Sequence, residues 1–439
     1  MLTQQDNELM CRIGPGTPMG ALVRQYWIPA LMSSELPEAD GAPLRLRLLG
    51  EDLVTYRTTS GAIGVMQNAC PHRGASMFFG RNEEEGLRCV YHGWKFDVTG
   101  ACVDMPNEPA ESNFKHKSKA TAYPATERNG VMWVYMGPLA TPPQLPDIEA
   151  NMMPEGEWSV NTTLRECNWV QALEGDIDTS HLGFLHLGGV KAEDTVPGTF
   201  DFYTVKDRAP RYEVVNTDFG TMYGAYRPAG PGQLYWRLAH FLFPFWTLIP
   251  TGTLGLQIFA RAWVPVDDEH TMVWSMVQAN RFARQGQDGR ERRGAPPVGS
   301  TGRFEYLPQG SGWLGRWRAT QNKQNDYLID RAVQKTGSYT GIDGITCQDQ
   351  AITEGMGGIL DRSAEHLGTS DAMIIRTRQR LIRAAAAMRD HGTIPPGADN
   401  PAVFRQRSGG IFLPEGADWQ SATADYREAF AEHPELQQA

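Results

Sequence analysis

The sequence predicts an α+β protein in which a small antiparallel β domain precedes a larger antiparallel sheet with helices. Short alternating runs, punctuated by turn residues, fill residues 44–138 and are typical of a small β domain. After a Pro-rich stretch without periodicity, strand-like runs give way to helical patterns near the end of the chain. We therefore expect a first domain at 44–140, a linker at 141–156 and a second domain at 157–439, with residues 1–43 packed on the other domains.

The first domain is predicted to consist of short strands joined by tight turns. Residues 45–68 have the pattern of three strands, joined at 50–52 and at 60–61. Residues 94–106 have the pattern of a hairpin with Thr99–Gly100 at its turn. A further apolar strand follows at 131–137.

The second domain mixes strands and helices. Its strand-like stretches are 211–227, 233–243, 255–266 and 270–281. Helical patterns are expected at 163–187, at 319–335 and at 371–390. The basic, Gly/Pro-rich segment 283–302 is predicted to be a surface loop.

The composition excludes several classes of protein. A chain of 439 residues with 41% hydrophobic and 21% charged residues is typical of an ordered globular protein. Its net charge of −10 argues against a nucleic-acid partner. The longest apolar run, 238–250, is short and contains His240 and two prolines, so no membrane span is predicted. The polar first residues do not resemble a signal peptide, and six scattered cysteines are no disulfide framework, so we expect a cytoplasmic protein.

The segment CPHRGASMFFGRNEEEGLRCVYHGW contains two Cys–His pairs, Cys70 with His72 and Cys89 with His92. Four such ligands in two loops are compatible with structural zinc, but zinc ribbons use pairs of cysteines two residues apart. A Rieske [2Fe–2S] cluster is bound by two thiolates on one iron and two imidazoles on the other, so each loop donates one ligand of each kind. The spacing favours the Rieske cluster over zinc.

A second concentration of ligand-type residues lies in ALEGDIDTSHLGFLH. This stretch offers Glu174, Asp176, Asp178, His181 and His186. Two histidines and a carboxylate on one face of an iron form the facial triad of non-heme oxygenases. An ideal α-helix would splay His181 and His186 by about 140°, so a π-turn or a break at Gly183 is expected to bring them together.

The third iron ligand must come from another part of the chain. Asp349 is our choice, because it lies near a predicted helix and five residues before another acid. Asp343, Glu354 and Asp361 are the alternatives, and each is by default a solvated surface carboxylate.

Both motifs resemble those of the ring-hydroxylating Rieske non-heme iron oxygenases. The first looks like their Rieske motif, and Glu174, Asp178, His181 and His186 match their mononuclear iron motif E-x3-D-x2-H-x4-H. The opening QDNELMCRIGPGTPMGALVRQYWIPAL is similar to the start of the oxygenase components that act on phthalate and chlorobenzoate. The resemblance extends over nearly the whole chain.

This resemblance implies a Rieske domain, a helix-grip catalytic domain, a [2Fe–2S] cluster and a mononuclear Fe(II). It implies head-to-tail trimers, alone or stacked as hexamers, in which Asp178 connects His92 of one subunit to His181 of the next. It also implies that both atoms of O2 are added to an aromatic carboxylate such as phthalate, to give a cis-dihydrodiol. The chain has no GxGxxG dinucleotide fingerprint, so an NAD(P)H-dependent iron–sulfur flavoprotein reductase is the expected partner.

Binding an aromatic carboxylate to an acidic protein requires local positive charge, which Arg supplies best. The predicted sheet offers Arg208, Arg211, Arg227, Arg237 and Arg261. We expect Arg261, which stands alone in the apolar run IFARAWV, and Arg208 to bind the substrate.

Three other functions stay open at this point. A Rieske O-demethylase would use the same iron sites with a different pocket. An electron carrier would hold two irons per chain instead of three, and a zinc-stabilised binding module would be colourless.

Overall fold

The computed structural model describes residues 2–279 and 304–437. The predicted basic loop at 283–302 lies outside the described residues. The α-helices within them are α1 (Gln4–Cys11), α2 (Pro18–Val23), α3 (Trp169–Asp176), α4 (Phe200–Lys206), α5 (Arg331–Thr336), α6 (Ile345–Gly355), α7 (Ala372–His391), α8 (Trp419–Ala422), α9 (Ala424–Arg427) and α10 (Pro434–Gln437).

The strands fall into two groups along the chain. The first group is β1 (Trp27–Met32), β2 (Leu44–Leu48), β3 (Glu51–Arg57), β4 (Ile63–Gln67), β5 (Arg81–Glu83), β6 (Gly86–Arg88), β7 (Lys95–Asp97), β8 (Cys102–Asp104), β9 (Ala125–Arg128) and β10 (Val131–Tyr135). The second group is β11 (Trp158–Arg165), β12 (Arg211–Asn216), β13 (Gly220–Gly230), β14 (Gln233–Leu242), β15 (Trp246–Leu248), β16 (Phe259–Pro265), β17 (Thr271–Gln278) and β18 (Gly409–Pro414).

The first group forms three small antiparallel sheets, with strand orders β1-β10-β9, β2-β3-β4 and β5-β6-β7-β8. The three strands predicted at 45–68 and the hairpin at Thr99–Gly100 are confirmed. Gly100 has a φ of +82°, which a residue without Cβ adopts readily at a tight turn. The first Cys–His pair lies between β4 and β5, and the second lies between β6 and β7. The four-stranded sheet therefore carries both predicted cluster loops.

The N-terminal segment is part of both halves of the molecule. Strand β1 pairs with β10 from the end of the first β group. Helix α1 contacts the catalytic part instead, where the amide of Asn7 donates to the Leu360 carbonyl at 2.9 Å. The boundaries at 140 and 156 stay a prediction, since β10 ends at Tyr135 and β11 begins at Trp158.

The second group forms one antiparallel sheet of eight strands among the described residues. Its order is β11-β17-β16-β15-β14-β13-β12, and β18 pairs with the first half of β14. Helices α3 and α7 pack on this sheet, against β16 and against β13 and β12 respectively. Large aromatic side chains of this sheet, among them Trp246, Trp263 and Trp274, are buried. The predicted α+β class, with a small β domain before a larger sheet domain, is confirmed.

Two predicted helices differ from the structure. The stretch 319–335 is not one helix, because Asp326, Tyr327 and Leu328 have φ values of 49°, 55° and 54°, which a right-handed helix excludes. Residues 163–165 belong to β11, and the helix begins only at Trp169, where the Asn168 side chain caps it by accepting from the Val170 N–H. The helix predicted at 371–390 is present as α7.

Candidate metal centres

Two matching turns present the Cys–His pairs. In each loop a glycine N–H donates to the cysteine carbonyl four residues earlier, Gly74 to Cys70 at 2.8 Å and Gly93 to Cys89 at 2.9 Å. Both glycines have positive φ, +73° and +81°, a conformation that disfavours other residues. The same backbone turn therefore aims each pair of ligands toward a common point.

The two imidazoles of these loops lie next to each other. The ring centroids of His72 and His92 are 4.4 Å apart. Trp94 stacks on His72 at 4.4 Å and is only 4% exposed, whereas Tyr91, 3.9 Å from His92, is 56% exposed. Trp94 therefore shields this centre, while Tyr91 forms part of its outer surface.

The four side chains fit a [2Fe–2S] cluster. Cys70 and Cys89 are buried, and burial raises the pKa of the Cys70 thiol to about 11. The Nδ1 atom of His72 is buried without a hydrogen-bond partner among the described residues. Buried polar atoms are normally paired, and a cluster with two thiolate and two imidazole ligands would provide partners for this donor set.

A second group of ligand atoms meets in the catalytic part of the chain. The Nε2 atoms of His181 and His186 are 3.1 Å apart, and Asp349 Oδ1 lies 3.1 Å from the latter and 3.7 Å from the former. Ligands bound at about 2.1 Å from one ion and at right angles to each other are about 3 Å apart. The triangle thus has the size of one face of a coordination sphere.

The outer nitrogens of both imidazoles have partners that fix their orientation. His181 Nδ1 lies 3.3 Å from Asp178 Oδ2, and His186 Nδ1 lies 2.7 Å from Gln348 Oε1. Each Nδ1 then carries the proton, and each Nε2 directs a lone pair at the other and at the carboxylate of Asp349. Three electron-rich atoms facing one point repel each other unless a cation lies between them, so the residues fit a metal ion.

The charges of the site agree with this assignment. Burial alone would raise the pKa of Asp349, but the attraction of His186 and His181 in their protonated forms outweighs it and lowers the pKa to about 2; a bound metal ion between neutral imidazoles would supply the same attraction. Burial likewise opposes the ionised form of Asp178, yet its hydrogen bonds with His181 and Ser180 hold its pKa below the ordinary value. Both carboxyl groups are therefore anionic at neutral pH.

The chain brings His181 and His186 together by leaving the α-helical path. Helix α3 ends at Asp176, and His181–Gly183 form a 3₁₀ turn. The Leu187 N–H then donates at 2.9 Å to the carbonyl of Leu182, five residues earlier, which is the spacing of a π-turn. The break expected near Gly183 is present.

The remaining acids of the motif have structural partners. Asp176 accepts from Arg261, Thr247 and Trp263. Glu174 accepts from Arg378 and Arg362, both of which are buried. Neither acid belongs to the triangle of ligand atoms.

The alternatives to Asp349 lie elsewhere. Asp343 is exposed, Glu354 accepts from the Tyr327 hydroxyl and the Gln350 amide, and Asp361 caps the turn at Ser363. Asp349 alone among these acids lies beside the two histidines.

The two arginines predicted to bind substrate are engaged by the protein. Arg261 Nη1 lies 2.5 Å from Asp176 Oδ1 inside the sheet domain. Arg208 donates to the carbonyls of Gly183 and Val190. Their predicted role stays a prediction.

Sequence reasoning missed Gln348 and passed over Arg227 and Arg237. Gln348 was not singled out from the sequence, because its amide side chain is uncharged, unlike the carboxylate of its neighbour Asp349. Arg227 and Arg237 are 0% and 4% exposed. Arg237 lies in the apolar run YWRLAHFLF, which is the same signal that singled out Arg261.

A cleft of about 220 Å³ leads to this centre from the surface, and Asp178, His181 and Asp349 line it. Apolar side chains form much of its wall, namely Leu185, Ile352, Met356, Leu360, Leu367 and Ile374. Glu365 and Asp371 also line it, as does Arg378, which is paired with Glu365, so that the charged rim is acidic on balance.

Comparison with known families agrees with both centres. A family model described as "Rieske [2Fe-2S] domain" matches residues 26–124, and one described as "LigXa C-terminal domain like" matches residues 134–439, more than half of the chain. The chain belongs to the Rieske non-heme iron oxygenases. This membership confirms the resemblance seen in the two motifs. The Rieske oxygenase carries a [2Fe–2S] domain, and oxygenase components of the family hold a mononuclear iron in the catalytic domain.

Curated relatives are similar over nearly the full length of this Rieske oxygenase. It is 48% identical to the 3-chlorobenzoate-3,4-dioxygenase oxygenase subunit of Comamonas testosteroni, over 96% of this chain and 98% of that protein. It is 36% identical to the phthalate 4,5-dioxygenase oxygenase subunit of Pseudomonas putida, over 97% and 96%. It is 32% identical to the 5,5'-dehydrodivanillate O-demethylase oxygenase subunit of a Sphingobium species, over 92% and 84%.

Solved structures share the fold. Dicamba monooxygenase bound to dicamba superposes with a TM-score of 0.54 over 84% of this chain and 99% of that one, at 18% identity. The chain is thus an oxygenase component of an aromatic ring-hydroxylating or demethylating system. Rieske oxygenases oligomerise and work with separate reductase or ferredoxin partners. Among the described residues, no helix has the length and apolarity needed to span a bilayer.

Proposed function

We propose that this protein is the oxygenase component of an aromatic-acid dioxygenase, which adds both atoms of O2 to a benzene carboxylate and forms a cis-dihydrodiol. The convergence of His181 Nε2, His186 Nε2 and Asp349 Oδ1 carries this proposal, because it leaves one side of a bound metal ion open. The similarity to the subunits acting on 3-chlorobenzoate and phthalate supports an aromatic carboxylate as substrate.

The side chains have distinct parts in this proposal. Cys70, His72, Cys89 and His92 would hold the cluster, and His181, His186 and Asp349 would hold the iron. When bound, the cluster would supply electrons and the iron would supply the place where O2 is reduced. Asp178 and Gln348 keep the two imidazoles in the tautomer that leaves Nε2 free.

Asp178 is also proposed to connect the two kinds of centre between subunits of a trimer. Its side chain is 20% exposed and lines the cleft that leads to His181. Within one chain it makes no hydrogen bond with His92 among the described residues, so the link requires His92 of the partner subunit. The acidic rim of the cleft is complementary to the cationic Arg73 beside the cluster loop.

The electron donor is proposed to be an NAD(P)H-dependent iron–sulfur flavoprotein reductase. A cytoplasmic location is proposed because all six cysteines are unpaired. An O-demethylase is the second candidate, favoured by the 32% identity to the dehydrodivanillate O-demethylase subunit.

Product analysis under ¹⁸O₂ tests the proposal. The purified protein would be incubated with a phthalate-dioxygenase-type reductase, NADH and a panel of benzoates, phthalate and methoxybenzoates. We expect two labelled oxygens in a cis-diol. One labelled oxygen together with formaldehyde from a methoxy substrate would instead establish the demethylase.

Iron analysis with a matched pair of variants tests the site itself. Asp349→Asn is expected to lower the iron content from three to two per chain, because it removes the anionic ligand. Asp343→Asn, an exposed acid six residues away, is the control and should keep three. Equal iron contents in the two variants would contradict the assignment of Asp349.

A further inference from the structure

We propose that Arg227 and Arg237 form the site that binds the carboxylate of the substrate, and that it accepts one carboxylate group. This inference rests on the proposed function and names the side chains that select the substrate. Both arginines are buried cations on one face of the eight-stranded sheet.

The strand register places these arginines next to each other. In the pairing of β13 with β14, Arg227 lies opposite Tyr235 and Ala225 lies opposite Arg237. Residues two apart on a strand share a face, so both side chains point to the same side. Diagonal neighbours of this kind are about 7–8 Å apart along the sheet surface, close enough for two guanidinium groups to contact one small anion.

The guanidinium groups are buried and only partly satisfied. Arg227 is 0% exposed; its Nε donates to the Asp207 carbonyl at 2.7 Å, while Nη1 and Nη2 have no hydrogen-bond partner among the described residues. Arg237 is 4% exposed and donates through Nη1 to Thr179 and through Nη2 to the Pro250 carbonyl, while its Nε has no partner. Burial, followed by the charge of Arg237, lowers the pKa of Arg227 to about 10.

The unpaired donors match the acceptors of one carboxylate. Both outer nitrogens of Arg227 are available for the bidentate geometry that carboxylates prefer, and Arg237 adds one N–H. Unpaired buried cations are unfavourable, so an anion entering this place would relieve both groups. Arg261, in contrast, is already neutralised by the carboxylate of Asp176.

The site is directly connected to the iron ligands. Arg237 Nη1 lies 2.5 Å from the hydroxyl of Thr179, two residues before His181. A carboxylate held by the arginines would thus lie near the segment that carries the iron site. Phe200, whose ring centroid is 4.8 Å from the Arg237 guanidinium, and Tyr203, stacked on Tyr235, provide apolar surface beside it for an aromatic ring.

The test compares an anion with its uncharged amide on the full-length holoenzyme. Affinities for 3-chlorobenzoate and 3-chlorobenzamide would be measured by anaerobic calorimetry for the wild type, Arg227→Met and Arg237→Met. Arg211→Met, on the neighbouring strand β12 and exposed, is the matched control. Each core variant should weaken 3-chlorobenzoate binding by about 10- to 100-fold, the value of a charged hydrogen bond, and change amide binding by less than about 2-fold.

Other outcomes would overturn the proposal. They are unchanged 3-chlorobenzoate affinity in both core variants, an equal loss for acid and amide, and a wild type that does not bind the acid. Arg227→Lys restores a cation and should recover part of the affinity, which separates charge from packing. If binding depends on the arginines but the wild type oxidises no aromatic compound, the oxygenase proposal fails and the carboxylate site stands.

Discussion

Replacing Glu174 by Gln is expected to destabilise the catalytic domain strongly. Glu174 accepts from Arg378 Nε at 2.6 Å, from Arg378 Nη2 at 2.9 Å and from Arg362 Nη2 at 3.2 Å. The side chains are 11%, 4% and 0% exposed in the order Glu174, Arg378 and Arg362. Among the described residues, the other acid that forms an ion pair with these arginines is Glu365, which pairs with Arg378. The substitution therefore leaves one buried positive charge uncompensated.

The size of the effect follows from this charge imbalance. Removing one partner of a buried ion pair costs about 3–5 kcal/mol of unfolding free energy. With an unfolding entropy of about 2.1 cal/mol/K per residue, a chain of 439 residues would lose about 4 °C in its thermal midpoint if it unfolds as one unit. Glu8→Gln, which breaks an exposed pair with Arg12, is the control and should lose less than about 1 kcal/mol.

Thermal and denaturant unfolding of the holoprotein would measure these differences. The double variant Glu174→Gln with Arg362→Met removes Glu174 together with the cation that Glu365 does not neutralise, so it should be more stable than Glu174→Gln alone. A loss below about 1 kcal/mol for Glu174→Gln, or a double variant no more stable than the single one, would refute the reasoning.

The same ion pairs determine a pH dependence. Burial raises the pKa of Glu174, but Arg362 and Arg378 outweigh it, and the pKa lies below its ordinary value. A lowered folded pKa gives stability that is present above the unfolded pKa of about 4.3 and is lost as the pH falls through the folded pKa. The stability difference between wild type and Glu174→Gln should therefore be constant from neutral pH down to about 5 and shrink below about 4.

Two further substitutions have defined outcomes. Gln348→Leu removes the acceptor of His186 Nδ1 and should weaken iron binding by about 10- to 100-fold, as measured by metal titration of the apoprotein. Gln348→Glu keeps an acceptor oxygen and should lose less iron affinity. Equal losses of affinity in the two variants would contradict an orienting role. Cys70→Ser should abolish the visible absorption of the cluster and leave one iron per chain. The control is Cys102→Ser, at a buried cysteine on β8, which should keep the spectrum. A retained spectrum in Cys70→Ser would contradict the ligand assignment.

Local sequence patterns predicted the β elements of the first domain well. Strands β2 to β4 and the hairpin at Thr99–Gly100 depend on turn residues and alternation that neighbours in sequence determine. Residues 409–414 were not predicted as a strand, because pairing with β14 across some 170 positions leaves no local signal. The helix predicted at 319–335 was wrong because tertiary contacts around the buried Tyr327 outweigh helical propensity.

The candidate metal site was predictable to the extent that its ligands are chemically distinctive. His181 and His186 stand in one short motif, and their odd spacing already required a non-helical turn. The sequence favoured Asp349 over Glu354 only by its position near a predicted helix, and the fold adds the physical reason, since both acids lie on α6 and Asp349 is the one beside the histidines. The arginines could not be ranked from sequence, because whether Arg261 or Arg227 already has an acceptor is a tertiary property.

The pairing of β18 with β14 makes the order of synthesis matter. Until residues 409–414 leave the ribosome, the first half of β14 has an unsatisfied edge, which is a template for aggregation. Arg237 lies on this half-strand, opposite Gly410. Nascent chains that stop before Gly409 would therefore lack the strand that covers the sheet edge beside Arg237, so that the carboxylate site proposed above would form only after β18 has been made.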